Sequence, residues 1–261
     1  MRYFLLLLLA SFSIIQVYAQ EKRSPPVTDS IHQLAKKDTS YHISFAGTGS
    51  INKAINDITY LFNNDLNFGV DHEKFSLNFD NNWVYGTDHH TKTNNDFLSV
   101  LQMDWNKPHN RTGFYYWVLA SYNTSYSLKV NNQVLAGAGV AYSLINDTTN
   151  HLSLSLSDGP VYDYSDLVLP DSTHVNYSTL RNSFRLHFHF EVKKGLVALD
   201  GVDFLQNSFK GADYIIRSVT TLSLKLNKWL DLTSSLNYNE QRRTESSNLI
   251  FTYGFRVGKR F

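Results

Sequence analysis

The sequence predicts an all-β fold, an antiparallel transmembrane outer-membrane β-barrel of about twelve strands, within a range of about ten to fourteen. Three observations carry this prediction. Apolar side chains recur at every second position from Tyr41 onward, and helical spacing is sustained nowhere. Many of these runs match the roughly 9–11 tilted residues that cross a bilayer, whereas strands in soluble folds average about 5–6. The chain opens on an export-type segment, and no later stretch is apolar enough to be a membrane helix.

Met1–Ala19 has the three parts of a secretory signal: Arg2, the apolar run Phe4 to Ala10 extended by Ile14 and Ile15, and a small residue, Ala19, at the expected cleavage point. Ser11, Ser13 and Gln16 interrupt the run, so it falls short of the ~20 apolar residues of a permanent anchor. Residues 20–40, with Pro25, Pro26 and several charges, read as a flexible periplasmic leader. The barrel domain is 41–261, with no linker inside it.

The expected strands lie near 41–50, 57–69, 73–86, 94–106, 112–126, 131–145, 150–158, 176–192, 196–206, 213–227, 229–241 and 247–261. The third alternates Phe75, Leu77 and Phe79 with Ser76, Asn78 and Asp80. The fifth puts Phe114, Tyr116, Val118, Ala120 and Tyr122 on one face. The seventh alternates leucine with serine from Leu152 to Ser157. The eighth sets Phe184, Leu186, Phe188 and Phe190 against Arg185, His187, His189 and Glu191. Leu222, Leu224 and Leu226 mark the tenth, and Leu230, Leu232, Leu236 and Tyr238 the eleventh. Leu249, Phe251, Tyr253, Phe255 and Val257 mark the last. Asn63-Asn64-Asp65, Asn106-Lys107-Pro108, Asn131-Asn132, Asn146-Asp147 and Lys193-Lys194-Gly195 have turn composition. Residues 158–176 read as a longer connection, so that every proline falls outside a ladder.

Composition narrows the function. The 261 residues include 24 Lys+Arg against 23 Asp+Glu, so no footprint for nucleic acid is expected. The absence of cysteine excludes disulfides, thiolate metal sites, cysteine nucleophiles and lipid attachment through cysteine. Tyr and Trp near strand ends, including Trp83, Trp105, Tyr115 to Trp117, Tyr126 and Trp229, suit interfacial girdles. The last strand ends on Phe261, in phase with Tyr253, Phe255 and Val257, which resembles the signal read by the barrel assembly machinery; Lys259 departs from that pattern.

The segments Gly47-Thr48-Gly49-Ser50-Ile51-Asn52-Lys53, Asn95-Asp96-Phe97, Ala136 to Ile145, and Asp158-Gly159-Pro160-Val161-Tyr162, with the terminal strand, carry a resemblance. Across roughly 41–261 the chain resembles the bacterial domain-of-unknown-function family 481, described as salt-induced outer-membrane proteins. The Gly-Thr-Gly start differs from the Gly-Asn-Thr type expected there. The resemblance implies an outer-membrane barrel, and it implies no reaction and no ligand.

Candidate lumen residues follow from phase. Arg185, His187, His189 and Glu191 share the face opposite the phenylalanines, and Arg217, Lys225, Arg256 and Arg260 are expected to join them. They read as a basic constriction favouring anions, or as an ion-paired network that fills a narrow barrel. His187 and His189 have the spacing of a metal pair, with Glu191 as a further ligand, but no third ligand is fixed by spacing; His89-His90 is weaker still. His42-Ile43-Ser44 with Asn56 has the residue types of a lipid hydrolase, but His-x-Ser recurs at His151-Leu152-Ser153. Gly137-Ala138-Gly139 has no following helix to bind phosphate.

The expectation is therefore a protein that is not an enzyme, with no cofactor and no metal, in the outer membrane of a Gram-negative bacterium. Its expected partners are outer-membrane lipids, the barrel assembly machinery and small polar solutes. A narrow porin-like channel is the first reading. A closed structural barrel whose loops or leader bind a partner is the second, and an outer-membrane lipid hydrolase the third.

Overall fold

The computed structural model describes residues 39–54, 57–108, 111–147, 151–192, 196–209, 211 and 213–260. The signal segment, residues 20–38 of the leader, Asn56, Lys193 to Gly195, Phe261 and the side chain of Arg260 lie outside the described residues.

Twelve strands form one closed antiparallel ring in which each strand pairs with its neighbours in sequence and β1 closes on β12. They are β1 (Thr39–Ala54), β2 (Asp57–His72), β3 (Phe75–Asp88), β4 (Thr91–Trp105), β5 (Gly113–Ser125) and β6 (Val130–Asp147). The ring continues through β7 (Leu152–Val168), β8 (His174–Val192), β9 (Val197–Ser208), β10 (Tyr214–Lys225), β11 (Leu230–Gln241) and β12 (Ser246–Arg260). Closure leaves no sheet edge, so the backbone groups that hydrocarbon would leave unsatisfied are paired around the ring. At the seam, Ser44 faces Gly258 and Gly49 faces Tyr253.

Alternation decides which side chains meet lipid. Phe114, Tyr116, Val118 and Tyr122 stand exposed on the outside of β5, while Tyr115, Trp117, Leu119, Ser121 and Asn123 are buried inside it. Phe184 and Leu180 face out from β8, while Arg181, Ser183 and Arg185 are buried within. Leu249, Phe251, Tyr253, Phe255 and Val257 form an exposed apolar row on β12. This apolar exterior, with polar side chains inside, is the pattern of a membrane-spanning barrel.

Several expectations are corrected. Residues 158–176 are not a long connection: β7 runs to Val168, and only 169–173 turn. Pro160 therefore lies within a strand. It has no N–H to donate, and between Gly137↔Val161 and Val140↔Asp158 the β6–β7 ladder skips its pairs without a change of register. Asn63-Asn64-Asp65 lies within β2 and Asn131-Asn132 within β6, so neither is a turn. β1 begins at Thr39, two residues inside the expected leader. Tyr115 and Trp117 point into the lumen and belong to no outer girdle; Tyr116 alone of that trio faces outward.

The connections are short at both ends, from two residues to the seven of 106–112. His89 and His90 form a two-residue hairpin turn with φ of 49° and 60°. Both central residues thus adopt the left-handed conformation that a type I′ turn requires.

Candidate functional site

The inner wall sets one apolar cluster into a largely polar lining. Along β5–β7, Tyr115, Trp117, Leu119, Leu135, Ala141 and Val161 pack into an apolar cluster with Val100 against it. Along β1–β3 and β10–β12 the lining is mostly polar, with Asn63, Asp65, Asn67, Asp80 and Asn82 on β2–β3 and Ser235, Asn237 and Thr252 on β11–β12, interrupted by Val84, Ile215 and Ile250. Asn82 donates to Asn63 at 2.6 Å and to Asp65 at 2.7 Å, and Asn67 bonds to Asp80.

Arg185 crosses the middle of the lumen. Its Nε donates to Ser157 Oγ at 2.9 Å, and its Nη1 donates to Gln102 Oε1 on β4 at 2.5 Å. Its guanidinium lies 5.1 Å from the Trp117 ring and 5.7 Å from Phe204, within cation–π range. Trp117 can lie flat against the wall because β6 and β7 carry glycine beneath it. A Cβ on Gly139 would come within 2.3 Å of the Asp158 carbonyl oxygen and 2.6 Å of the indole.

Toward the end away from the chain termini, Arg181 is fully buried in a polar cluster. Its Nε donates to Asp163 at 2.7 Å, and its Nη2 donates to Asp213 at 3.0 Å and to Tyr177 Oη at 2.7 Å. Arg243 from the 242–245 turn also binds Asp213, at 3.1 Å, and stacks 3.9 Å from the Tyr177 ring. Arg217 reaches across to Gln133 at 3.0 Å.

At the rim the two walls touch. Thr244 Oγ1 donates to the Leu128 carbonyl at 2.8 Å, and Asn248 Nδ2 donates to Ser127 Oγ at 2.7 Å. The first residue of each pair belongs to the β11–β12 hairpin and the second to the β5–β6 turn, six strands away in a ring of twelve. These contacts therefore span the mouth. Leu128, Val130 and Leu167 form an apolar floor below them with Tyr177. Outside the membrane-spanning strands, hydrogen bonds from Thr173 hold Asp171 below the usual carboxylate range.

Most residues singled out from sequence reach this lumen. Arg185, His187, His189 and Glu191 share the inner face of β8, and Arg217, Lys225 and Arg256 follow in phase on β10 and β12. His189 bonds to Asp200 and lies 3.4 Å from Glu191, which His151 also approaches at 3.8 Å. Arg256 reaches Ser223 at 3.4 Å. Lys225 is exposed at the end of β10, and Arg260 pairs by its backbone with His42. His42 and Ser44 share the inward phase of Ala46 and Thr48, with the His42 ring over Gly69. Among the described residues, no group of three or more His, Asp or Glu could hold a metal ion. Sequence reasoning missed Arg181, Asp163, Asp213 and Arg243. Arg181 was within reach, since it lies in phase with Arg185 on the same strand.

Among solved structures, the chain is similar to an outer membrane channel from Pseudomonas putida F1, at 10% identity and a TM-score of 0.48 over 90% of this chain and 100% of that one. It is also similar to the NanC porin, at 9% identity and 0.46 over 83% and 97%. A third is the translocator domain of the autotransporter NalP from Neisseria meningitidis, at 9% and 0.40 over 88% and 90%. No curated protein matches. The model of the family described as "Protein of unknown function, DUF481" matches residues 50–255, and with most of the barrel inside that match the chain belongs to the DUF481 family.

Proposed function

We propose that the protein is a narrow polar passage in the outer membrane of a Gram-negative bacterium, for small polar solutes, held shut at one mouth by its own side chains. The bridge from Thr244 to Leu128 carries this reading, because it joins opposite walls of the ring. Behind the bridge, the β1–β3 and β10–β12 lining offers amides, hydroxyls, Asp65, Asp80 and Arg256. The basic groups on β8 meet carboxylates or amides close by, which supports a filled network over a strongly anion-selective ring. Signal cleavage near Ala19 would leave the termini in the periplasm and the bridged mouth at the cell surface. Exported lipids meet the outside of the barrel, and His42 and Ser44 point inward, so the reading is non-enzymatic.

Conductance in planar bilayers tests it. Wild type should open rarely. Thr244→Val with Asn248→Ala removes two bridging bonds, each worth about 0.5–1.5 kcal/mol, and should raise the open fraction about tenfold or more. Steady large currents from wild type would refute the shut mouth. Silence from the folded double variant would leave a closed structural barrel.

A further inference from the structure

The outer surface carries several polar interruptions in its apolar band, and two groups of them contain amides or carboxylates. On β2–β4, Asn64, Asn81 and Ser99 face outward. Asn64 sits between Phe62 and Leu66 on its strand and opposite Trp83, and Asn81 sits between Phe79 and Trp83, opposite Leu66 and Ser99. On β7–β10, Asp158, Asn182, Asp203 and Ser218 face outward, with Ser218 directly opposite Asp203. Asp158 follows Leu156 and lies opposite Phe184, and Asp203 lies opposite Leu186 and next to Leu205 in phase. Asp158 accepts from Asn182 at 2.7 Å. Among the described residues, Asp203, Asn64, Asn81 and Ser99 have no side-chain hydrogen-bond partner. A carboxylate on the lipid face of a barrel is unfavourable in proportion to its depth, and polar groups in hydrocarbon seek partners.

We propose that these patches are the two sides of one contact between copies of this chain, packed side by side in the membrane. Asn64, Asn81 and Ser99 of one barrel donate to Asp158 and Asp203 of the next. The complementarity is chemical: amide and hydroxyl donors on one side, carboxylate oxygens on the other. A hollow of about 140 Å³ beside Asn64 and Asn81, lined by Phe45, Leu66, Trp83 and Phe97, offers room for the end of an exposed ring such as Phe184. β3 and β8 are five strands apart in the ring of twelve, close to opposite sides. Head-to-tail contacts of that geometry build rows, not small closed rings.

The chain has no cysteine, so thiols can be placed beside the patches without touching their polar groups. Full-length protein carrying Phe79→Cys and Leu205→Cys is reconstituted in phospholipid vesicles, oxidised and run on denaturing gels. The expected result is a ladder of disulfide-linked multimers from the double variant and monomer from each single variant. Adding Asp158→Leu and Asp203→Leu, or in a second chain Asn64→Leu and Asn81→Leu, should cut the ladder at least about tenfold while the folded, heat-modifiable band persists. No ladder from the double variant overturns the proposal. So does dimer from one single variant at comparable yield, or a ladder undiminished by either pair of leucines.

Discussion

Arg181 and Asp163 are both fully buried in the lumen and joined Nε to Oδ2 at 2.7 Å, although they sit on neighbouring strands 18 positions apart in sequence. Asp213 and Tyr177 complete the cluster around the guanidinium. A buried pair of this kind is costly to break from one side, because the remaining charge has no water to turn to.

Arg181→Leu should therefore destabilise the barrel by about 3–5 kcal/mol, and Arg181→Leu with Asp163→Leu should recover much of that loss. The temperature at which the folded band converts to the unfolded band on denaturing gels reads both. An equal loss in single and double variants would mean the pair contributes by shape alone.

Trp117 separates stability from gating. Trp117→Ala leaves a void over Gly139 and beside Arg185 and should cost about 3–5 kcal/mol by the same gel assay. Conductance should stay near wild type, because the bridge at the mouth is untouched. A large new current would move the gate to the level of Arg185.

Two glycines should respond differently to alanine. A Cβ on Gly254 meets the Gly47 carbonyl oxygen at 2.1 Å, which is backbone of the strand that closes the ring. The atoms nearest a Cβ on Gly201 belong to the Phe188 ring, a side chain that can rotate outward. Gly254→Ala should sharply lower the yield of folded barrel on refolding into vesicles, and Gly201→Ala should not. Equal yields would show that the seam can widen freely.

His89 and His90 hold left-handed backbone angles that cost ordinary residues about 1–2 kcal/mol each. His89→Asn with His90→Gly should thus stabilise the barrel, by about 1 kcal/mol or more, seen as a higher unfolding temperature. A fall would show that the imidazoles make contacts worth more than the strain.

The strands were legible because lipid demands an unbroken two-residue period, and Phe184 to Phe190 or Leu249 to Val257 can satisfy it only as strands. The errors arose where a barrel tolerates turn-like residues inside a strand. Asn63 and Asp65 are turn formers in water, but in β2 they face a polar lumen that bonds them through Asn82. Pro160 is accepted in β7 beside the glycine-bearing stretch of β6 where the ladder skips its pairs. The candidate site was half legible. Phase placed Arg185 and its neighbours inside, and the same phase, applied to Phe114 and Tyr116, would have turned Trp117 inward. Nothing in spacing tells that Thr244 meets Leu128 or that Arg181 meets Asp213, because those partners are set by curvature and closure.

The brevity of every connection has a consequence for how the molecule is met from outside. No strand pair is joined by more than the seven residues of 106–112, and the bridged mouth carries none longer than five. In the proposed orientation the surface-facing loops are tight turns, and what extends beyond the hydrocarbon is hydrogen-bonded strand, as in the 17–19 residues of β7 and β8. A surface protease needs unpaired, extended chain to cleave, and the described turns of that mouth offer it only short segments.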